Sequence, residues 1–145
     1  MLEEIVNHAI SRTRNQGASE SLISAMATFQ QQIEVATLNG SRSKKLKAWV
    51  DTGAAYTWIP RAVLQEIGIA PAFRRRFRPA NGDEIERDCA QAAVAIDGSR
   101  LITVCVFGDE GSEPLLGAVT LEEMGLGVDP LNQRLVPVTL LLAPI

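Results

Sequence analysis

An aspartate at the end of an apolar strand is the feature that most restricts how this sequence can fold. In the stretch from Lys45 to Ala55, Leu46, Ala48 and Val50 alternate with Lys45, Lys47 and Trp49, the period-two pattern of a half-buried strand. The strand runs straight into Asp51 and stops at Gly53, where the missing Cβ lets the backbone pack closely. A carboxylate delivered in this way sits on a tight turn beside backbone amides. A bare Asp-Thr-Gly is most often a turn that satisfies its own loop. What surrounds the tripeptide therefore decides its meaning.

Upstream, Met26 opens an alternation continued by Phe29, Ile33 and Val35, with Gln31 the polar exception, and Asn39-Gly40 supplies a hairpin turn into the Asp51 strand. Earlier still, Leu2, Ile5, Val6, Ala9 and Ile10 have helical spacing and the polar stretch Ser11 to Ser21 looks like a linker. Two parts are expected: an N-terminal extension over residues 1–25, helix plus linker, and a folded domain over residues 26–145. Downstream, Pro60 suits the first turn of a helix that puts Val63, Leu64 and Ile67 on one side and ends at Gly68. Asn81-Gly82 joins the extended segments Phe73 to Ala80 and Asp83 to Ala95, and Asp97-Gly98 turns a further hairpin. Leu101 to Phe107 is so apolar that burial on both faces is predicted.

The chain then echoes itself. Pro114 to Ala118 enters a helix from Thr120 to Met124, with Thr120 and Glu123 spaced as a capping box and Gly125 as its stop. Gly53-Ala54, a helix and Ile67-Gly68-Ile69 are thus matched by Gly117-Ala118, a helix and Met124-Gly125-Leu126. Spacing alone leaves chance and repetition equally open. Only the first copy carries an aspartate.

Strand, Val-Asp-Thr-Gly-Ala, Thr57-Trp58-Ile59-Pro60 and a helix, followed later by Leu115-Leu116-Gly117 and a second helix, form an ordered set that resembles the retropepsin-like aspartic proteases. The likeness is to the small single-domain bacterial and archaeal members and covers about residues 27 to 140. It implies an all-β fold, the closed acid-protease barrel with one or two short α-helices and a flap hairpin. It implies an aspartic endopeptidase that needs two carboxylates, one ionised to activate a water and one protonated to donate to the oxyanion. With one such turn per chain, Asp51 of each subunit would meet across the axis of a homodimer. By the same resemblance Thr52 steadies the two loops, Gly53 and Ala54 touch the substrate backbone, and Arg78 to Glu86, tipped by Ala80, Asn81 and Gly82, forms a flap that closes over a peptide. One departure stands out: where the viral members carry an Asp two places after the motif glycine and an Arg after the second glycine, this chain has Ala55 and Ala118. The alternative is the same fold kept as a catalytically silent dimerisation or peptide-binding module.

Other chemistries find little support. A net charge of -3 argues against a nucleic-acid partner despite Arg74, Arg75, Arg76 and Arg78, which read as solvated strand edges at the flap base with a preference for acidic substrates. The single His8 lies in the N-terminal extension, so neither a His-dependent nucleophile nor a metal site is expected, and no cofactor is called for. Cys89 and Cys105 read as two small buried side chains. The apolar stretch from Leu135 to Ile145 is shorter than the ~20 residues of a membrane helix. It reads instead as an edge that a second subunit covers, with Pro137 and Pro144 suited to edge positions. With no signal-like N-terminus, a cytoplasmic location is expected.

Overall fold

Alternating segments become strands where their apolar side finds a neighbour to cover it. The computed structural model describes residues 29–144, and in these the elements run β1 (Gln30–Ala36), β2 (Ser43–Val50), β3 (Thr57–Pro60), α1 (Arg61–Glu66), β4 (Phe73–Phe77), β5 (Ile85–Ile96), β6 (Ser99–Gly108), β7 (Leu115–Leu116), α2 (Ala118–Glu123), β8 (Leu126–Asp129) and β9 (Arg134–Pro137). The described residues are mostly β, with two short helices, as the sequence predicts. The helix and linker expected over residues 1–25 lie outside the described residues.

Seven strands form one sheet in the order β1-β2-β7-β3-β6-β5-β4, and β1 pairs a second time, with β5. The ladder therefore returns to its first strand, and β4 stands outside this ring as an edge on β5. Val35, Val50, Ile59, Val94, Phe107 and Leu116 meet in the apolar core that the ring encloses. A second, smaller cluster holds Trp58, Val106 and Leu115, with Phe73, Phe77 and Ile85 packed against it.

The centre of the sheet is two-fold symmetric within one chain. β3 and β7 lie antiparallel with Trp58 opposite Leu115, and each has a parallel neighbour from the other half, Trp49 beside Leu115 and Trp58 beside Val106. Exchanging the halves carries Trp49 onto Val106, Trp58 onto Leu115, Arg61 onto Ala118 and Gly68 onto Gly125, always at the same separation. Both helices end on glycines with left-handed φ, +86° at Gly68 and +67° at Gly125, each amide donating to the carbonyl three residues back. The repeat is real, but its register differs from the sequence expectation. Gly53-Ala54 falls on Glu110-Gly111 rather than on Gly117-Ala118, and Asp51 falls on Gly108. β7 is two residues long, too short for alternation to reveal where the second copy begins.

The halves lock at Gly117. A Cβ added there would lie 2.3 Å from the carbonyl oxygen of Tyr56, so only glycine permits the crossing. The amides of Ala118 and Val119 donate to the carbonyls of Ala54 and Ala55 (2.8 and 2.9 Å). These bonds also explain why the predicted capping box is absent. α2 starts at Ala118 after Gly117, with no side-chain cap, because its first amides are already satisfied by the neighbouring loop.

Thr120 turns inward instead. Gly117 N–H donates to Thr57 Oγ1 (3.1 Å), Thr57 and Thr120 hydroxyls lie 2.6 Å apart, Thr120 and Thr103 3.0 Å, and Thr103 donates to Glu123 Oε1 (2.7 Å). Each hydroxyl has one proton, and that of Thr103 is committed to the carboxylate. Thr120 must then donate to Thr103, and Thr57 to Thr120. The chain runs one way, from a backbone amide to a carboxylate, and joins β3, β6 and α2.

Three further expectations need adjustment. Ile102 is 43% exposed, so β6 is buried on both faces only in its second half, from Cys105 to Gly108, where β3 pairs alongside it. Asp97-Gly98 does make the two-residue turn, with both φ values positive, but β4 and β5 are joined by a longer loop over residues 78–84, in which Gly82 N–H donates to Pro79 O (3.3 Å). Pro60 closes β3 and caps α1 rather than sitting inside its first turn. Because nothing can move to admit a Cβ between two backbones, Gly117→Ala is expected to cost about 3 kcal/mol or more of unfolding free energy in denaturant titration. Gly82→Ala, with open space around it, should stay within about 0.5 kcal/mol of wild type.

Candidate active site

Asp51 is held by both halves of the repeat. Its amide donates to Leu116 O on β7 (3.0 Å), and the amide of the preceding Val50 donates to Phe29 O (2.9 Å), so the end of β2 is pinned on both sides. The loop then curls over residues 51–56, with Ala54 N–H on Asp51 O (3.3 Å) and the carbonyls of Ala54 and Ala55 taken by α2. The carboxylate accepts the amide of Gly53 on Oδ1 at 2.8 Å. An added Cβ on Gly53 would crowd that same oxygen at 3.1 Å, which gives the motif glycine a local reason.

Asp51 is only 1% exposed. Burial raises its carboxyl above the ordinary 3.8, and the amides of Gly53 and Ala54 pull the other way without cancelling the effect. A carboxyl so placed keeps a proton into less acidic solution than a surface aspartate does. It is suited to proton transfer.

The predicted site residues fall into two groups. Asp51, Thr52, Gly53 and Ala54 share one loop, with Thr52 and Gly53 exposed and Ala54 buried. Ala80, Asn81 and Gly82 are exposed in the β4–β5 loop, and among the described residues no hydrogen bond joins them to the Asp51 loop. It is the base of that hairpin that makes contact. The Phe77 ring meets Tyr56 edge-on at 5.9 Å and lies 5.1 Å from Trp58, both just after the Asp51 turn. These aromatic partners, like the three threonines, were missed in the sequence. The available signal was the alternation of Phe73, Arg75 and Phe77 with Arg74 and Arg76, which turns both phenylalanines to one face.

The segments that carry Ala55 and Ala118, where the resemblance has a charged pair, are joined through main chain: Ala118 N–H to Ala54 O, and Val119 N–H to Ala55 O. Trp49 adds a side-chain tie, Nε1 donating to Glu113 Oε2 at 2.6 Å. Cys89 and Cys105 are both free and fully buried. Burial, with Cys89 beside it, pushes the Cys105 thiol up to about 12, and burial also raises Cys89, so neither is suited to act as a thiolate nucleophile. Among the described residues, no group of His, Cys, Asp and Glu is arranged to hold a metal, and no helix is long and apolar enough to cross a membrane.

The family described as gag-polyprotein putative aspartyl protease matches residues 35–123. That span runs from the end of β1 through α2 and contains the Asp51 loop and most of both repeat halves. Among curated proteins, none matches the chain.

The raised carboxyl has a consequence for stability. The folded protein holds the Asp51 proton more tightly than the unfolded chain does, so the contribution of this group is greatest below pH 3.8 and is lost as pH rises through the folded value. Asp51→Asn, which cannot ionise, is therefore expected to be more stable than wild type at pH 7, with the advantage shrinking on acidification and gone below about pH 3.8. Denaturant titrations of both proteins across that range check this; a difference independent of pH would contradict it.

Proposed function

Because this chain belongs to the gag-polyprotein aspartyl protease family, we propose that it is an aspartic endopeptidase that acts as a homodimer, with Asp51 of each subunit forming one catalytic pair. The observation that carries this reading is the uneven repeat: Asp51 has Gly108 at the matching position of the second half, so one chain supplies one carboxylate of this kind. Two copies supply two. Like charges ~3 Å apart do not both ionise cheaply, so the pair shares a proton. The ionised member takes a proton from a bound water, which attacks the peptide carbonyl, and the protonated member donates to the developing oxyanion. Burial of each Asp51 favours such sharing, since it already resists ionisation.

The remaining parts take the roles that the family resemblance gives them. Thr52, exposed beside Asp51, steadies the two catalytic loops against each other, while Gly53 and Ala54 offer backbone to an extended peptide. The β4–β5 hairpin is the flap, with Ala80, Asn81 and Gly82 at its tip, and the ring of pairings is the closed acid-protease barrel. The C-terminal tail supports a second copy: Val138, Leu140, Leu141 and Leu142 are 44%, 56%, 102% and 85% exposed, an apolar strip that a lone subunit leaves in water. One observation favours the alternative, a silent dimerisation or peptide-binding module. Asp51 is already buried within a single chain, so the carboxylate must become accessible before it can meet its counterpart.

Asp51→Asn should lower cleavage of a peptide library by at least about 10²–10⁴-fold while peptide binding persists. Unchanged cleavage overturns the mechanism, and a wild type that binds peptides but cuts none selects the silent module. Removing residues 139–145 should leave a monomer in sedimentation where the full chain is a dimer; a full chain that stays monomeric at micromolar concentration with peptide present contradicts the shared pair.

A further inference from the structure

The arginines of the flap hairpin are not equivalent. Pairing places Arg74 opposite Asp88 and Arg76 opposite Glu86, and on this side the charges cancel: Arg74 lies 3.5 Å from Glu86 and 3.9 Å from Asp88, Arg76 3.9 Å from Glu84, and Arg78 2.9 Å from Glu84. The other face carries Phe73, Arg75 and Phe77 from β4 against Cys89, Arg87 and Ile85 from β5. This is the inner face, because the Phe77 ring rests on Tyr56 and Trp58 and because Phe73, Phe77 and Ile85 pack on the cluster around Ala54 and Leu115.

Two cations therefore sit directly opposite each other on the face whose Phe77 meets Tyr56, an arrangement that costs stability unless something negative joins them. Arg87 reaches Asp109 at 3.4 Å. Arg75 reaches no carboxylate among the described residues; its guanidinium lies over the Phe73 ring, 4.6 Å from the centroid, with one N–H on the carbonyl of Arg74. Stacking holds the planar group in place without using up its donor fork. A pre-positioned, uncompensated guanidinium on an apolar face is complementary to a carboxylate carried by a peptide strand.

Resting on the protease reading above, we propose that Arg75, with Arg87 opposite it, forms a subsite for a glutamate or aspartate side chain of the substrate. The paired arginines on the outer face contribute nothing to this selection. Arg75 is a specificity residue, on the same face of β4 as Phe77, whose ring meets Tyr56 after the Asp51 turn. An extended substrate running under the two hairpins of the dimer would present one side chain to each copy of this face, so the preference falls at a single substrate position or at two positions equally far on either side of the scissile bond.

The test uses full-length Asp51→Asn protein and fluorescein-labelled decapeptide libraries in which each position in turn is fixed as Glu or as Gln, with binding read by anisotropy. At one position, or at two positions equally far on either side of the scissile bond, the Glu library should bind about tenfold tighter than its Gln counterpart, with the advantage fading at high salt. Adding Arg75→Gln should abolish that advantage and leave the Gln library unaffected, whereas Arg76→Gln should change neither. Arg75 is exposed, so an unchanged thermal melt is expected to exclude misfolding of that variant. No position preferring Glu, no binding at all, or an Arg75→Gln variant that weakens both libraries alike overturns the proposal. Wild type is then given the favoured Glu library. Cleavage supports the protease reading, and discrimination without cleavage defeats that reading while leaving the subsite standing.

Discussion

The contact between residues 114–119 and residues 54–57 is the constraint on which the rest of the site depends. Gly117 passes so close to Tyr56 that no side chain fits, and from that crossing four hydrogen bonds spread: two from the amides of α2 to the Asp51 loop, one from Gly117 to Thr57, and one from Asp51 N–H to Leu116 O. A loop that presents a carboxylate for chemistry cannot rely on its own short turn for position. Here the second half of the chain fixes it, and the hydroxyl chain from Thr57 through Thr120 and Thr103 to Glu123 ties β3 of the first half to β6 and α2 of the second through buried hydroxyls that would be costly to leave unmade.

Internal symmetry explains both what the chain has and what it lacks. Each half contributes a hairpin, a crossing strand, a helix and a glycine stop, so the two halves bury one another's central strands. A carboxylate appears on one half alone, and Gly108 occupies the place where the other would stand. The proposed chemistry requires two. The described strands thus close their ladder within one chain while the proposed chemistry needs a second, and among the described residues the tail beyond β9 carries a run of exposed apolar side chains, Leu140 to Leu142.

Much of this was legible in the residues. Alternation at Leu46, Ala48 and Val50 located the strand that delivers Asp51, and Asp97-Gly98, Gly68 and Gly125 announced their turns because left-handed backbone strongly favours a few residue types. The family resemblance rested on such local signals. What stayed hidden was set by contacts between distant residues. Thr120 and Glu123 match a capping box in sequence, yet the helix start was already satisfied by Ala54 and Ala55, and the two side chains were drawn to Thr57 and Thr103 instead. The similarity of Gly53-Ala54 to Gly117-Ala118 misplaced the repeat for the same reason, since a two-residue strand shows its register only through its partners. The arginine run looked uniform until pairing with β5 separated Arg75 from its neighbours.

Subunit mixing at a fixed total concentration tests the central claim most directly. Wild type is exchanged to equilibrium with Asp51→Asn protein, and peptide cleavage is followed as the wild-type fraction is lowered. If each active site needs Asp51 from both subunits, activity falls as the square of that fraction. Activity that falls in simple proportion to it would mean that one carboxylate suffices, and would contradict the account.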